Sequence, residues 1–134
     1  MNSEIHISFP GGKKVNADFG GMQISTDQSI KDGGDGSAPQ PFMLFLASIG
    51  TCAGVYVLGY CEKRNISTDG IRIVQKLEND QKGKLKKVTI EIVVPPGFPE
   101  KHMQIMTRVA DLCAVKQTIL NAPEFETRTV VAAS

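Results

Sequence analysis

The chain has 134 residues, 41% of them hydrophobic, and its 15 basic and 14 acidic side chains leave a formal net charge of +1. A chain of this size can bury one core, which fits a single domain of residues 1–134. The balanced charge offers nothing to phosphate backbones or anionic lipid, so neither nucleic acid nor a membrane is an expected partner. The absence of a signal-like opening and the odd number of cysteines, 3, favour a cytoplasmic protein without a disulfide framework.

The first 26 residues predict an antiparallel meander of three strands. Apolar and polar residues alternate in three short runs, and Pro10-Gly11-Gly12 and Gly20-Gly21 separate the runs. This alternation is typical of strands with one buried face. Residues 31–40 are dense in turn formers, so we expect a mobile loop there.

An uncharged stretch, residues 41–61, follows the loop. Pro41 suits the first turn of a helix, and apolar side chains at three- and four-residue spacing predict that the helix runs to about Arg64. Cys52 lies mid-helix on this apolar stripe and is expected to be largely buried. The stretch could also span a bilayer. Its glycines and hydroxyl residues, and the amphipathic strands elsewhere, favour a helix buried in a globular protein or a dimer.

The second half of the chain predicts a hairpin, two helices and a last strand. The expected strands are residues 71–78, 85–94 and 125–131, and the expected helices are residues 100–110 and 113–120. Met103 and Met106 should face inward from the first of these helices. The order βββ-α-ββ-α-α-β has strands in runs without regular βαβ alternation, which indicates an α+β fold with two antiparallel sheets.

Cys52 and Cys113 are the first candidates for chemistry. A thiol reacts as the thiolate, so a helix N-terminus or a nearby cation must lower its pKa. Cys113 has such a setting if a helix begins there, with Arg108 and Lys116 within about a turn. Cys52 has no local cation. Composition alone favours a packing role for Cys52, because free cysteine is among the most buried residue types.

Cys61 is expected to be structural. It lies about 13 Å from Cys52 along one straight helix, too far for a disulfide. His6 and His102 are isolated in the sequence and no cysteines have zinc-site spacing, so no metal is expected. The glycine clusters lack the full phosphate-loop pattern, and no cofactor is expected either.

Residues 41–52 read PFMLFLASIGTC and resemble the start of the central helix in the OsmC/Ohr family. In that family a proline precedes apolar and small residues and then a cysteine eleven positions on, and a second cysteine lies about sixty residues later, as Cys113 does here. The order of meander, glycine-rich loop, apolar helix, hairpin, helices and last strand also resembles the family over essentially the whole chain.

This resemblance implies an intertwined homodimer of two-sheet subunits around long buried central helices. It also implies a cysteine-dependent peroxidase of oxidative stress defence. Cys52 would attack an organic hydroperoxide or hydrogen peroxide and become a sulfenic acid, and Cys113 would condense with it to a disulfide that a cellular dithiol reduces.

Three positions depart from the family pattern. Lys13 stands where the family's peroxidases have an arginine after a Gly-Gly pair, Phe42 stands where they have a glutamate, and Ala114 replaces a proline. Lysine can lower a thiol pKa as a point charge, but it lacks arginine's rigid fork of donors. The alternative is therefore a non-catalytic module of the same architecture that binds a small apolar ligand at the dimer interface.

Overall fold

The computed structural model describes residues 3–133. The strands of the described chain are β1 (His6–Gly11), β2 (Lys14–Phe19), β3 (Met22–Thr26), β4 (Arg72–Asn79) and β5 (Leu85–Val93). The α-helices are α1 (Pro41–Lys63), α2 (Glu100–Ala110) and α3 (Ala114–Leu120), and a 3-10 turn occupies Ile30–Asp32. The α+β class with two antiparallel sheets is confirmed.

The chain divides into two compact units, residues 1–48 and 49–134, with the boundary inside α1. A single folding domain stays a prediction, because compactness does not decide whether a unit folds by itself.

The first unit contains the predicted meander, with strand order β1-β2-β3. His6 pairs with Asp18 across β1 and β2, and Val15 pairs with Thr26 across β2 and β3. Gly20 has a φ of 55° and the glycine after it a φ of 78°, which is the backbone that a two-residue hairpin turn requires. The hairpin between β2 and β3 therefore follows directly from the Gly-Gly pair.

The expectation that one face of this sheet is buried is wrong for the single chain. Every residue of β1 is exposed, and Phe9 is 82% exposed. Ile7 and Met22 are also exposed, at 57% and 63%. Alternating apolar and polar residues give the sheet one apolar face. In the described part of this unit, no other helix or strand packs on that face. Contiguous exposed apolar surface of this kind marks interaction sites.

Asp27 organises the loop between β3 and α1 in a way that the turn formers alone do not predict. Its side chain is fully buried and accepts hydrogen bonds from the backbone N–H groups of Gln28 (2.7 Å), Asp35 (3.3 Å) and Ser37 (3.0 Å). The Ser37 hydroxyl donates a fourth bond at 2.7 Å. A side chain at Gly34 would collide with the Gln28 carbonyl oxygen, so glycine is required there. One carboxylate thus joins both ends of the loop through four hydrogen bonds.

The Asp27 carboxylate makes the stability of this unit depend on acid pH. The hydrogen bonds from the Ser37 hydroxyl and amide lower the pKa of Asp27 from 3.8 to about 2. A carboxyl group with a depressed pKa contributes its full stability above the unfolded-state value, and the contribution is lost as pH falls through the folded-state value. We therefore expect the wild-type unfolding temperature to fall between pH 3.8 and about 2, and Asp27→Asn to lack this component. Circular dichroism melts across that window measure it.

Asp35→Asn is the matched control, since its backbone N–H, which donates to Asp27, is retained. It removes an ion pair with Lys14 at 2.8 Å, but the Asp35 side chain is 73% exposed and such exposed pairs contribute little to stability. It should therefore keep most of the acid dependence of the wild type. Parallel melting curves for wild type and Asp27→Asn would contradict the assignment.

The second unit packs helices on the β4–β5 hairpin. Its buried core residues are Ala53, Val57, Tyr60, Cys61, Met106 and Ala110, and partly buried residues of both strands pack against them. Small residues let α1 approach β4 closely, because Gly50 faces Gln75 and Gly54 faces Ile73. The part of α1 that lies in this unit therefore presents one side to the sheet and α2. By length and composition α1 could also cross a membrane, with a mean hydropathy of 1.9 over its most apolar window.

Two expectations for the second unit are wrong. Residues 125–131 form no strand, and Phe125 and Val131 are 85% and 95% exposed. A strand needs a neighbour to satisfy its N–H and C=O groups, and no strand of the described chain pairs with this segment. On α2, Met106 is fully buried as expected, but Met103 is 41% exposed, because it lies at the edge of the face that meets the sheet.

Candidate functional site

Cys113 lies at the break between α2 and α3, which falls where the sequence predicts it. Its side chain is 1% exposed and caps the N-terminus of α3, accepting a hydrogen bond on Sγ from the Lys116 backbone N–H at 3.4 Å. The Lys116 ammonium pairs with Asp111 at 2.7 Å, and the Gln117 side-chain amide donates to the Asp111 carbonyl at 2.9 Å. These contacts fix the turn that holds the Cys113 thiol.

Cys52 meets Cys113 in this second unit. Cys52 is partly exposed on α1, rather than largely buried as expected, and its side chain is near enough to help raise the pKa of the Cys113 thiol. Both cysteines are free thiols. The fold therefore brings together two thiols from distant parts of the sequence, one with access to solvent and one shielded from it.

The surroundings of Cys113 favour its protonated thiol and raise its pKa. Burial raises the pKa of Cys113 above its usual value of 9.0, the Lys116 backbone N–H lowers it, and the hydrogen bond and charge of Cys52 raise it further. The Lys116 charge has a smaller lowering effect. The net direction is upward, so Cys113 keeps its proton at neutral pH.

The raised pKa of Cys113 predicts that any reaction in which Cys113 attacks as a thiolate is slow at neutral pH. The rate of Cys52–Cys113 disulfide formation after one equivalent of peroxide should rise roughly tenfold for each pH unit up to about pH 9, because the thiolate fraction rises in that proportion. Quenched-flow alkylation with mass spectrometry measures this rate.

Lys116→Gln should slow the same step at a fixed pH, because it removes the Lys116 charge while the Lys116 backbone N–H remains. A pH-independent rate would show that Cys113 does not attack as the thiolate.

Cys61 lies apart from this pair. It is fully buried in the core of the second unit, and burial raises the pKa of its thiol. A protonated thiol enclosed by apolar side chains is inert toward oxidants. This environment is the one expected for a structural cysteine.

Two of the three residues that depart from the family pattern, Lys13 and Phe42, lie in the first unit. Lys13 is in the turn between β1 and β2, close to Gly33, and Phe42 is in the first turn of α1. Phe42 is 59% exposed and stacks on Phe45 with ring centroids 5.7 Å apart. Ala114 is the first residue of α3, directly after Cys113.

Of the two cations expected near Cys113, Lys116 affects its pKa, whereas Arg108 is not among the causes of the shift. No group of three or more histidine, cysteine or acidic side chains that could hold a metal ion occurs within residues 3–133.

A cluster around Tyr60 was not predicted. The Tyr60 hydroxyl lies 2.8 Å from Nδ1 of His102, so His102 is not isolated in the fold. The Arg64 guanidinium lies 3.9 Å from the Tyr60 ring centroid, in cation–π geometry. The Tyr60–His102 pair spans 42 positions, and nothing in the local sequence of either residue points to the other.

Comparison with known proteins gives a consistent result. Residues 34–128 match the model of the family described as OsmC-like protein. No curated protein sequence matches the chain significantly.

Solved structures resemble the chain over most of its length. An osmotic stress induced and detoxification response protein from Psychrobacter arcticus is 20% identical, with 88% of each chain covered and a TM-score of 0.69. An OsmC-like protein from Mycoplasma pneumoniae is 11% identical, with 91% of this chain and 89% of that chain covered and a TM-score of 0.69. An organic hydroperoxide resistance protein OsmC from Legionella pneumophila is 16% identical, with 89% of each chain covered and a TM-score of 0.56. At these identities the likeness concerns the fold.

Proposed function

Because the chain belongs to the OsmC-like protein family, we propose that it is a cysteine-dependent peroxidase of oxidative stress defence in the cytoplasm. The observation that carries the proposal is the contact between Cys52 and Cys113, which provides a partly exposed thiol next to a buried one. The Legionella pneumophila protein of similar fold, described as an organic hydroperoxide resistance protein, supports the same chemistry.

The proposed reaction has three steps. The Cys52 thiolate attacks the terminal peroxide oxygen, an S–O bond forms as the O–O bond breaks, and the leaving alkoxide takes a proton to become an alcohol. Cys113 then attacks the Cys52 sulfenic acid, forms the disulfide and releases water. A cellular dithiol reduces the disulfide by thiol–disulfide exchange. The disulfide step needs the two thiols close together, and the effect of the Cys52 side chain on the pKa of Cys113 supports this requirement.

The test of this proposal is turnover. With dithiothreitol as reductant, the purified protein should consume cumene hydroperoxide and hydrogen peroxide catalytically, and the two rates indicate which peroxide class it favours. The absence of turnover with both peroxides, in protein whose thiols titrate as free, would overturn the proposal.

We propose further that the functional form is a homodimer. Val55 and Leu58 are 64% and 45% exposed on α1, the β1 face of the meander is uncovered, and residues 122–133 have no secondary structure of their own. Exposed apolar surface on this scale needs a cover, and burial in a dimer provides it without a membrane.

Leu58→Glu is expected to convert the dimer to a monomer, because it places a carboxylate in the proposed apolar interface. Light scattering after gel filtration in detergent-free buffer measures the mass. Gln104→Glu, an exposed position on α2, is the control and should stay dimeric. A monomeric wild type, or a requirement for detergent during extraction, would contradict this arrangement.

One observation favours a second candidate function, a non-catalytic module that binds a small apolar ligand. Phe42 and Phe45 form an exposed stacked pair where a charged residue would be expected in a peroxidase of this family. Native mass spectrometry would detect a co-purified ligand. Peroxide turnover without any such ligand would remove this candidate.

A further inference from the structure

The turn that carries Cys113 is spanned by two side-chain contacts. The Gln117 side-chain amide, on α3, donates to the Asp111 carbonyl at 2.9 Å. The Lys116 ammonium pairs with the Asp111 carboxylate at 2.7 Å. Asp111 directly follows α2, and Cys113 lies between it and both of its partners in the chain. The end of α2 and the start of α3 are thus tied together around the thiol.

The two contacts differ in how they act on the turn. The ion pair joins side chains that are 40% and 62% exposed, and exposed pairs contribute little because water screens them. The Gln117 amide bonds to a backbone atom, so it acts directly on the path of the chain at the end of α2. The backbone N–H of Gln117 also donates to the Cys113 carbonyl at 3.0 Å. Gln117 therefore holds the backbone on both sides of the turn.

The position of the Cys113 sulfur decides how readily it bonds to Cys52. A disulfide forms only within narrow limits of distance and dihedral angle. The Cys52 side chain is near enough to Cys113 to affect its pKa, so small movements of the turn change the geometry of the pair. A well-oriented partner reacts faster than a mobile one, because less entropy is lost in reaching the reactive geometry.

We propose that Gln117 is a positioning residue for the disulfide step, because it ties the end of α2 to α3 and so holds Cys113 beside Cys52. This role rests on the proposed function, in which the Cys113 sulfur attacks the sulfur of the Cys52 sulfenic acid. In that step the S–S bond forms as the S–O bond breaks, and water leaves. Gln117 acts through the backbone of the turn and not on the reacting atoms.

The backbone of the turn allows an independent test at Ala114. Cys113 has a φ of −57° and a ψ of 140°, a conformation that suits the residue before a proline. Ala114 is the exposed first residue of α3, where a proline fits because the N–H that it lacks has no partner within the helix. Ala114 is also the position at which the family pattern has a proline. Ala114→Pro should therefore stiffen the turn through its ring in place of the Gln117 contact.

Equilibration with glutathione measures the positioning of Cys113 without peroxide. The protein dithiol and one oxidised glutathione exchange to give the Cys52–Cys113 disulfide and two reduced glutathiones, and mass spectrometry after alkylation quantifies both protein forms. Gln117→Met keeps the length and the helix preference of the side chain and removes the donor. It should lower the equilibrium constant of disulfide formation about three- to tenfold, the effect of losing one hydrogen bond, and so raise the reduction potential by up to about 30 mV.

Thr118→Val is the matched control on the same helix. The Thr118 hydroxyl donates to the Ala114 carbonyl at 2.8 Å, but this bond lies within α3 and does not span Cys113. This variant should keep the equilibrium constant of the wild type. Ala114→Pro combined with Gln117→Met should restore the wild-type equilibrium constant, which a general loss of helix stability would not allow. Circular dichroism establishes that each variant is folded.

Three results would overturn this role of Gln117. They are an unchanged equilibrium constant in Gln117→Met, an equal decrease in Thr118→Val, and no recovery in the folded double variant with Ala114→Pro. If the double variant does not fold, the comparison of Gln117→Met with Thr118→Val decides by itself. A wild type that forms no Cys52–Cys113 disulfide with oxidised glutathione would overturn both this role and the proposed disulfide step. The expected equilibrium constants in a protein without peroxide turnover would overturn only the peroxidase.

Discussion

Cys52→Ser is expected to abolish peroxide turnover, lowering the rate with cumene hydroperoxide by at least about a thousandfold. The physical reason is that the hydroxyl of serine stays protonated at neutral pH, so it is a poor nucleophile, and its oxygen cannot form a sulfenic acid or a disulfide. The measurement is peroxide consumption with dithiothreitol in excess. Circular dichroism must show the same melting temperature for both proteins, because Cys52 is only partly buried and a serine there should be tolerated.

Cys113→Ser distinguishes the proposed role of Cys113, which forms the disulfide, from that of Cys52, which attacks the peroxide. This variant should still react with one equivalent of peroxide, but Cys52 should accumulate as a sulfenic acid that dimedone traps, because the neighbouring thiol that forms the disulfide is gone. Cys61→Ala is the control. Cys61 is fully buried in the core and away from the pair, so this change should lower stability and leave the rate per folded molecule unchanged.

Other patterns in this series would contradict the assignment. Full turnover in Cys52→Ser would show that another residue is the nucleophile. An intramolecular disulfide that forms in Cys113→Ser would assign the resolving role to Cys61, against its burial in the core.

Met106→Ala is expected to lower the free energy of unfolding by about 2–5 kcal/mol, the range for truncating a buried methionine. Met106 is fully buried in the core of the second unit, next to an existing cavity of about 100 Å³ between α2 and β5. Truncation would enlarge a void that the packed strand and helix cannot easily close. Urea unfolding followed by circular dichroism gives the difference.

Met103→Ala is the matched control, on the same helix and at the rim of the same cavity. Because Met103 is 41% exposed, its truncation should cost less than about 1 kcal/mol. Equal losses for the two variants would mean that the exposed edge of α2 is covered in the folded protein, for example by a second subunit.

Local patterns in the sequence determined most of the secondary structure. Proline at the first turn and apolar spacing predicted α1 from Pro41 to within one residue of its end, and the same reasoning predicted the bounds of α2, Glu100–Ala110. Glycine pairs predicted the hairpin turns of the meander. These features are carried by neighbouring residues, whose backbone preferences and periodicity do not depend on the rest of the fold. The spacing of Cys52 and Cys113 was also readable, but only as a resemblance to a family.

Only the tertiary structure decided which distant groups meet. It brought the thiol of Cys52 near that of Cys113 and the hydroxyl of Tyr60 to His102. It also buried the Asp27 carboxylate, which accepts hydrogen bonds from donors in its own loop. It also left residues 125–131 without a partner strand, although their composition favours a strand. The two cysteines, like Tyr60 and His102, are far apart in the chain, and a local sequence pattern carries no information about such contacts. The donors to Asp27 lie within ten residues of it, but their convergence on one carboxylate depends on the path of the loop, which its turn formers do not specify.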